Sequence, residues 1–285
     1  MYVIGGDGSH RGAHALYEHF RSLGLNISVA CVPKTVDNDI AFIDRSFGFA
    51  TAVEEAQRAI LSAKTEAKCA PNGIGIVKLM GRSSGYIAAH ATLASGDADV
   101  CLIPEVPTVL DGPTGCLGHV QRVLEARGHA VVVVAEGVGE QLLLDPTRKD
   151  IERDASGNVK LPPIAPWLKD RVVEFFEAQG ITVNVKVLDP SYMIRSVKAN
   201  ASDSLYCMLL AQNVVHGVMA GYTGFSVALV NNRLVYLPMT SITKNSPAFM
   251  NPRGRTWERI LSATRQPNTM VDDKAPAKKS EDPSE

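Results

Sequence analysis

The sequence predicts an α/β fold built on mostly parallel sheet with helices on both faces, and three observations carry that reading. Strand-length apolar runs alternate with helix-length amphipathic segments along most of the 285 residues. Several strand runs are apolar throughout instead of alternating, as in Ala130 to Ala135, where four valines stand between alanines. Such a strand is buried on both faces, as in a parallel sheet covered by helices. The glycine-rich and charged clusters come directly after strands, at the carboxyl ends where open parallel sheets place their ligands.

Met1 to Ile4 reads as a strand that runs straight into glycines. From about Arg11 to Leu23, the side chains of Ala13, Leu16, Tyr17 and Phe20 share one helical face, and Gly24 is placed to stop that helix. Asn26 to Val32 is a β-branched strand, and Phe47 to about Lys68 is a long helix broken by Pro71-Asn72-Gly73. The alternation continues with strand Ile74 to Leu79, helix Ser84 to Ala94, strand Val100 to Ile103, helix Leu117 to Ala126 and strand Ala130 to Ala135. Trp167 to Gln179 then reads as a helix, Ile181 to Val187 as a strand and Asp203 to Met219 as a helix. Asn231-Asn232-Arg233 between Phe225 to Val230 and Leu234 to Pro238 is a β-hairpin signal. Leu144 to Pro163 is polar without periodicity and reads as a long loop. The stretch from about Gln266 to Glu285, rich in charge, Pro, Ser and Lys, reads as a disordered tail.

With 29 Lys and Arg against 30 Asp and Glu, the net charge of −1 disfavours a nucleic-acid binder that works through a basic face. No apolar run is long enough to span a bilayer. The five cysteines are widely spaced with no C-x-x-C pair, so neither a zinc site nor a disulfide framework is indicated. Most of them read as small core residues, which suits a reducing compartment. No targeting peptide is visible at the start. His10, His14 and His19 have no third ligand in view and read as surface residues, whereas Tyr206, Phe225 and Trp257 read as core.

Five clusters can carry chemistry. Gly5-Gly6-Asp7-Gly8-Ser9 follows a strand and precedes a helix. Glycines let a phosphate approach the backbone, the helix N-terminus offers unpaired N–H groups, and a carboxylate at Asp7 can hold Mg²⁺ against phosphates. A tight turn with a capping Asp is the plainer alternative. Pro33-Lys34-Thr35-Val36-Asp37-Asn38-Asp39-Ile40 puts two carboxylates, a Thr and a Lys at a strand end. One carboxylate can take a proton from a hydroxyl and the other can position a metal, while Thr and Lys stabilise a transferring phosphoryl group; a solvated Asx-rich turn is the alternative. In Met80-Gly81-Arg82-Ser83-Ser84-Gly85, Arg82 can clamp a phosphate or simply pair with a carboxylate. Glu136 follows the valine strand, as a polyol acceptor or a cap. Tyr192-Met193-Ile194-Arg195, with Lys186 nearby, can bind a second phosphate or form a solvated basic face.

Read together, these motifs resemble the phosphofructokinase family, and most closely its plant-type ATP-dependent 6-phosphofructokinases. GGDGS, PKTVDNDI, VKLMGRSSGYIA, DPSYMIR, the NASD of Asn200 to Asp203 and AGYTGF match in order and approximate spacing over roughly Met1 to Gln266. A GGDG alone is weak, because NAD kinases and diacylglycerol kinases carry something similar; followed by T-x-DND and then MGR, it is specific. The resemblance implies that Asp37 is the base for the 1-hydroxyl of fructose 6-phosphate, that Thr35 contacts the transferring phosphoryl group, and that Asp7 binds Mg²⁺ with Asp39 beside it. Gly6, Gly8 and Ser9 would lie against the nucleotide phosphates. Met80, Gly81, Arg82 and Glu136 would hold the sugar. Tyr192 and Arg195 would sit at the 6-phosphate, with Lys186 where many relatives have Arg. Gly8 stands where pyrophosphate-using relatives typically have Asp, which favours ATP, while Lys34 is shared by pyrophosphate enzymes and plant-type ATP enzymes.

The implied fold is a pair of doubly wound, Rossmann-like units with the site in the cleft between them. Residues 1–48 with 199–265 form the donor and Mg²⁺ unit, 49–198 the sugar-phosphate unit, and 266–285 the tail. The family normally carries a strand and a glycine-rich donor loop ahead of GGDGS. The expectation is therefore an incomplete donor half-site, with exposed apolar edges and weak stability or activity of the chain by itself. Two alternatives accompany the kinase reading: a non-catalytic regulatory subunit that binds sugar phosphate, and a pyrophosphate-dependent enzyme. The resemblance also implies a homo-oligomer with allosteric control in the cytoplasm, or in a plastid if a targeting segment lies upstream.

Overall fold

The computed structural model describes residues 1–143 and 160–270. Most of the expected loop 144–163, and 271–285 of the expected tail, lie outside the described residues. The chain opens with β1 (Tyr2–Gly5), α1 (Asp7–Ser22) and β2 (Ala30–Pro33), then passes through α2 (Phe49–Lys68), β3 (Gly73–Leu79), α3 (Tyr86–Ser95) and β4 (Val100–Leu102). It continues through α4 (Cys116–Arg127), β5 (His129–Ala135), α5 (Val138–Leu143), α6 (Ile164–Glu177), β6 (Asn184–Leu188) and α7 (Ser191–Arg195). It then returns with α8 (Ala201–Met219), β7 (Phe225–Val230), β8 (Arg233–Pro238), α9 (Met239–Asn245) and α10 (Arg255–Thr264).

Two four-stranded sheets result, in the orders β1-β2-β7-β8 and β4-β5-β3-β6. Every pairing is parallel except the β7–β8 hairpin. Asn231 and Asn232 both take positive φ at its turn (49° and 60°), the left-handed pair that a two-residue hairpin needs. The expected α/β architecture is thus present.

The larger core surrounds the second sheet, where the valines of β5 are buried and α2 lays the stripe Ala52, Ala56, Ala59, Ala63 and Ala67 over β3. Small residues at that spacing let the helix sit close. Gly73 marks how close, since a Cβ there would collide with the Ala67 carbonyl. Cys31, Cys101 and Cys116 are buried, with thiols pushed up to about 12 by loss of hydration, so they are inert packing residues.

Several expectations need correction. α1 begins at Asp7 and not at Arg11, so the DGS triplet is the helix's first turn. His10 is fully buried, not a surface residue. α9 and α10 continue the chain beyond the hairpin, and α10 lies on α3 and β4 beside the second sheet, although the expectation grouped 199–265 with the first. Gln266, assigned to the tail, is docked: its side chain exchanges hydrogen bonds with both backbone groups of Cys101 (2.7 and 3.0 Å). β1 is an edge strand with Tyr2 and Ile4 exposed, and Leu205, Met208 and Leu209 of α8 also face solvent. Among the described residues, no helix is long and apolar enough to cross a membrane.

Candidate functional site

β1 and β2 run side by side, with Gly5 opposite Pro33 and the Lys34 N–H bonded to the Gly5 carbonyl (2.8 Å). The two strands therefore release their motifs next to each other. The first becomes the N-terminus of α1, which has no side-chain cap, so its leading N–H groups are free to meet an anion. Asp7 lies in that turn, ion-paired with Arg11 one turn on. Gly8 has open space where a Cβ would project.

The second motif turns back on itself. Thr35 Oγ1 donates to Asp39 (2.8 Å) and accepts from the Asp37 backbone N–H (3.2 Å), which ties both ends of the TVDND loop together. The Asp37 carbonyl accepts from Ser84 Oγ (3.2 Å), at the start of the α3 region of the other sheet. That contact joins the two strand-end clusters across the cleft. Burial is the main reason the Asp37 carboxyl is pushed up to about 6; Asp39 and then Glu136 add to the rise, and Arg195 and Arg82 oppose it. Five of the expected residues thus converge electrostatically, although they come from the ends of β2, β3 and β5 and from α7.

Leu79 and Ala135 end their strands in register, and the Glu136 and Gly137 N–H groups bond the Leu79 and Gly81 carbonyls (2.9 and 3.0 Å). Gly81 takes φ +131°, and a Cβ would lie 2.4 Å from the Ser84 carbonyl. Only glycine makes this bend, which carries Arg82 over the strand ends. One Arg82 guanidinium nitrogen is buried with no hydrogen-bond partner, a donor left over for a ligand. Arg195 Nε contacts Met80 Sδ (3.3 Å), and both line a cleft of about 380 Å³ with Lys34, Thr35 and Thr51.

Two expected residues stand apart. Lys186 pairs with Gly75 in the middle of the edge strand β6, two residues short of that strand's end, and is exposed. Tyr192 is 85% exposed, on the same short helix as Arg195. Sequence reasoning missed Glu105, whose half-buried carboxylate accepts from the Gly85 N–H (2.9 and 3.0 Å) and the Met250 N–H (2.9 Å). Its signal was a weaker form of that of Glu136: a carboxylate just past an all-apolar strand, here separated from it by Ile103 and Pro104. It also missed the strap 246–250, in which Ser246 Oγ accepts from Ala41 (3.0 Å), Ala248 donates to the Asp39 carbonyl (2.6 Å), and the Phe249 carbonyl accepts from Tyr86 (3.0 Å).

Among the described residues, no cluster of three or more His, Cys, Asp or Glu side chains could hold a metal ion by protein ligands alone. A single carboxylate at an open helix N-terminus suits Mg²⁺, which usually takes one or two carboxylates and completes its shell with water and substrate phosphates.

A family model described as Phosphofructokinase matches residues 1–218. The chain is 52% identical over 271 residues to "ATP-dependent 6-phosphofructokinase 1" of Arabidopsis thaliana, covering 95% of this chain and 57% of that protein. It is 48% identical to "ATP-dependent 6-phosphofructokinase" of Amycolatopsis methanolica, covering 94% of this chain and 59% of that one. The chain thus spans a little over half the length of these relatives. Among solved structures, the pyrophosphate-dependent phosphofructokinase from Marinobacter aquaeolei superposes with TM-score 0.71 at 21% identity, over 95% of this chain and 69% of that one. Pichia pastoris phosphofructokinase in the T-state gives 0.64 at 23%, over 92% and 28%. With motifs, strand order and family model in agreement over most of its length, the chain belongs to the phosphofructokinase family.

Proposed function

We propose that the protein transfers the terminal phosphoryl group of ATP to the 1-hydroxyl of fructose 6-phosphate, with Asp37 as the base. The observation that carries this reading is the Asp37 carboxyl, raised to about 6 and held between two acids and two arginines at the strand ends. A carboxylate poised near neutrality can take a hydroxyl proton that an ordinary, more acidic one would leave in place. Thr35 is positioned to donate to the transferring group once Asp39 releases its hydroxyl. Arg82, with its spare N–H, would draw negative charge off the phosphoryl oxygens. Met80, Gly81 and Glu136 would hold the sugar, and Arg195 its 6-phosphate, with exposed Tyr192 close enough in sequence to join it; Lys186, exposed in the middle of β6, is not assigned there. Gly6, Gly8 and Ser9 would receive the donor phosphates at the α1 N-terminus. Mg²⁺ shared between Asp7 and those phosphates would neutralise charge developing in transfer.

The open space at Gly8 supports a nucleotide donor, as do the names of the plant and bacterial relatives. We further assign residues 1–48 and 199 to about 245 to the donor unit and 49–198 to the sugar-phosphate unit. Residues 246–265 cross back to the second. A homo-oligomer fits the family; a plastid location is as compatible as the cytosol, since "ATP-dependent 6-phosphofructokinase 5, chloroplastic" is 47% identical. Turnover of fructose 6-phosphate with ATP or pyrophosphate, alongside calorimetry with the sugar, tests the reading. ATP-dependent turnover that Asp37→Asn abolishes is expected. Turnover with pyrophosphate alone would replace the donor, and sugar binding without turnover would favour the regulatory subunit.

A further inference from the structure

His10 is fully buried beneath the GGDGS turn and takes no part in the chemistry above. Its Nδ1 lies 2.9 Å from the Gly6 carbonyl oxygen, and its Nε2 lies 3.0 Å from Ser226 Oγ. A carbonyl only accepts, so Nδ1 carries the proton. Burial lowers the imidazole pKa, so the ring is neutral and Nε2 is a bare acceptor for the Ser226 hydroxyl. Ser226 sits in β7 opposite Cys31 of β2, in the middle of the first sheet, and its longer contact to the Cys31 carbonyl (3.3 Å) is secondary. Donation therefore runs one way, from Ser226 to His10 to Gly6.

The Gly6 carbonyl shares one rigid plane with the Asp7 N–H, the two pointing in opposite directions. This carbonyl also accepts the His10 backbone N–H (3.0 Å), the first helical bond of α1, and the ring adds a second bond tied to the sheet; holding the carbonyl inward aims the Asp7 N–H outward, to the face where an anion meets the helix. Gly6 and Gly8 bracket Asp7 and offer no steric restraint of their own. We infer that His10 is a positioning residue: through Ser226 it anchors the Gly6–Asp7 peptide to the sheet, and so sets the donor-phosphate and Mg²⁺ half of the site without touching the sugar half. This rests on the function proposed above.

The test compares the wild type with His10→Leu, His10→Gln and Ser226→Ala. Mg·ATP, Mg·pyrophosphate and fructose 6-phosphate are titrated separately by calorimetry, and thermal midpoints are recorded. Leu fills the space without the bonds, whereas Gln can donate to Gly6 and accept from Ser226. The expected result is that Leu weakens whichever phosphate donor the wild type binds by about tenfold or more, on the scale of one lost hydrogen bond in a phosphate cradle. Sugar affinity should stay within about twofold, with Gln close to wild type and Ser226→Ala between. Equal losses for donor and sugar, or Leu matching Gln, would overturn the inference and make His10 ordinary packing. A wild type that binds neither donor would instead remove the function it rests on.

Discussion

Asp37 is buried beside two acids, and its proton affinity is the quantity on which the site turns. With its pKa raised from the ordinary carboxylate value of 3.8 to about 6, kcat/KM should climb as pH rises through about 6 and level off above it; a profile flat from 5 to 8 would remove Asp37 as base. Asp37→Asn should cost roughly 10²- to 10⁴-fold in kcat, the usual worth of a general base, while sugar binding survives. The same shift has a stability consequence. The folded state holds this proton more tightly than the unfolded chain, so the fold loses stability as pH rises from about 4 to 6 and does not regain it above. Asp37→Asn should therefore raise the thermal midpoint at pH 7.5, with the gain shrinking towards pH 4; scans at both values check this. Gly81→Ala should cost about 1–3 kcal/mol for strain at φ +131° and misdirect Arg82, read as a lower midpoint together with lost turnover. At this scale the sequence was most legible: Thr35, Asp37, Arg82 and Glu136 each follow a strand, and the other three reach Asp37 by a hydrogen bond or by charge. Lys186 was harder to place, because proximity in sequence to a strand end does not give the register with which the strand pairs.

Helix starts were harder to read than helix faces. α1 was placed at Arg11 because its apolar rhythm begins at Ala13, and a first turn of Asp, Gly and Ser has no periodicity to detect. The helical spacing of Trp257, Ile260, Leu261 and Thr264 in α10 is legible, yet with Pro247 and Pro252 ahead of it and a polar surround the segment was given no element of its own. The NASD motif shows a different obstacle. Asn200 caps α8 through the Asp203 N–H (2.9 Å), but the Asp203 carboxylate caps a different helix: it accepts from the Thr51 N–H (2.7 Å) and hydroxyl (2.6 Å) in the first turn of α2. Gly48 gives α2 no side-chain cap of its own, and a negative charge there also suits the helix dipole. No local pattern announces a cap from 152 residues away. Asp203→Ala should strand the buried Thr51 N–H and cost about 1–3 kcal/mol, seen as a lower urea midpoint; an unchanged midpoint would mean water replaces the carboxylate.

Across the whole molecule, strand order was the least accessible property. β7 lies beside β2 although nearly two hundred residues separate them, because the chain completes one sheet, builds the second and then returns. The strap 246–250 is the second long-range link, bonded to Ala41 and Asp39 on one side and to Glu105 and Tyr86 on the other. Glu105→Ala should leave the Gly85 and Met250 N–H groups without acceptors, at about 1–3 kcal/mol for each that stays dry. Amide exchange at Ala248 and Met250 should then accelerate well before that of β5; equal acceleration everywhere would mean global destabilisation and no local latch.

The strap also sets a clock on biosynthesis. Ala41 and its Ser246 partner are 205 residues apart, so at ordinary ribosomal speeds the TVDND loop waits roughly 10–40 s for its fastening. Until then the two carboxylates of that loop are held only by Thr35 and by whatever of the second sheet has already emerged. A nascent chain therefore fastens the TVDND loop only after residue 246 has been made, and translation halted before that point would release a chain with both sheets complete and the loop unlatched.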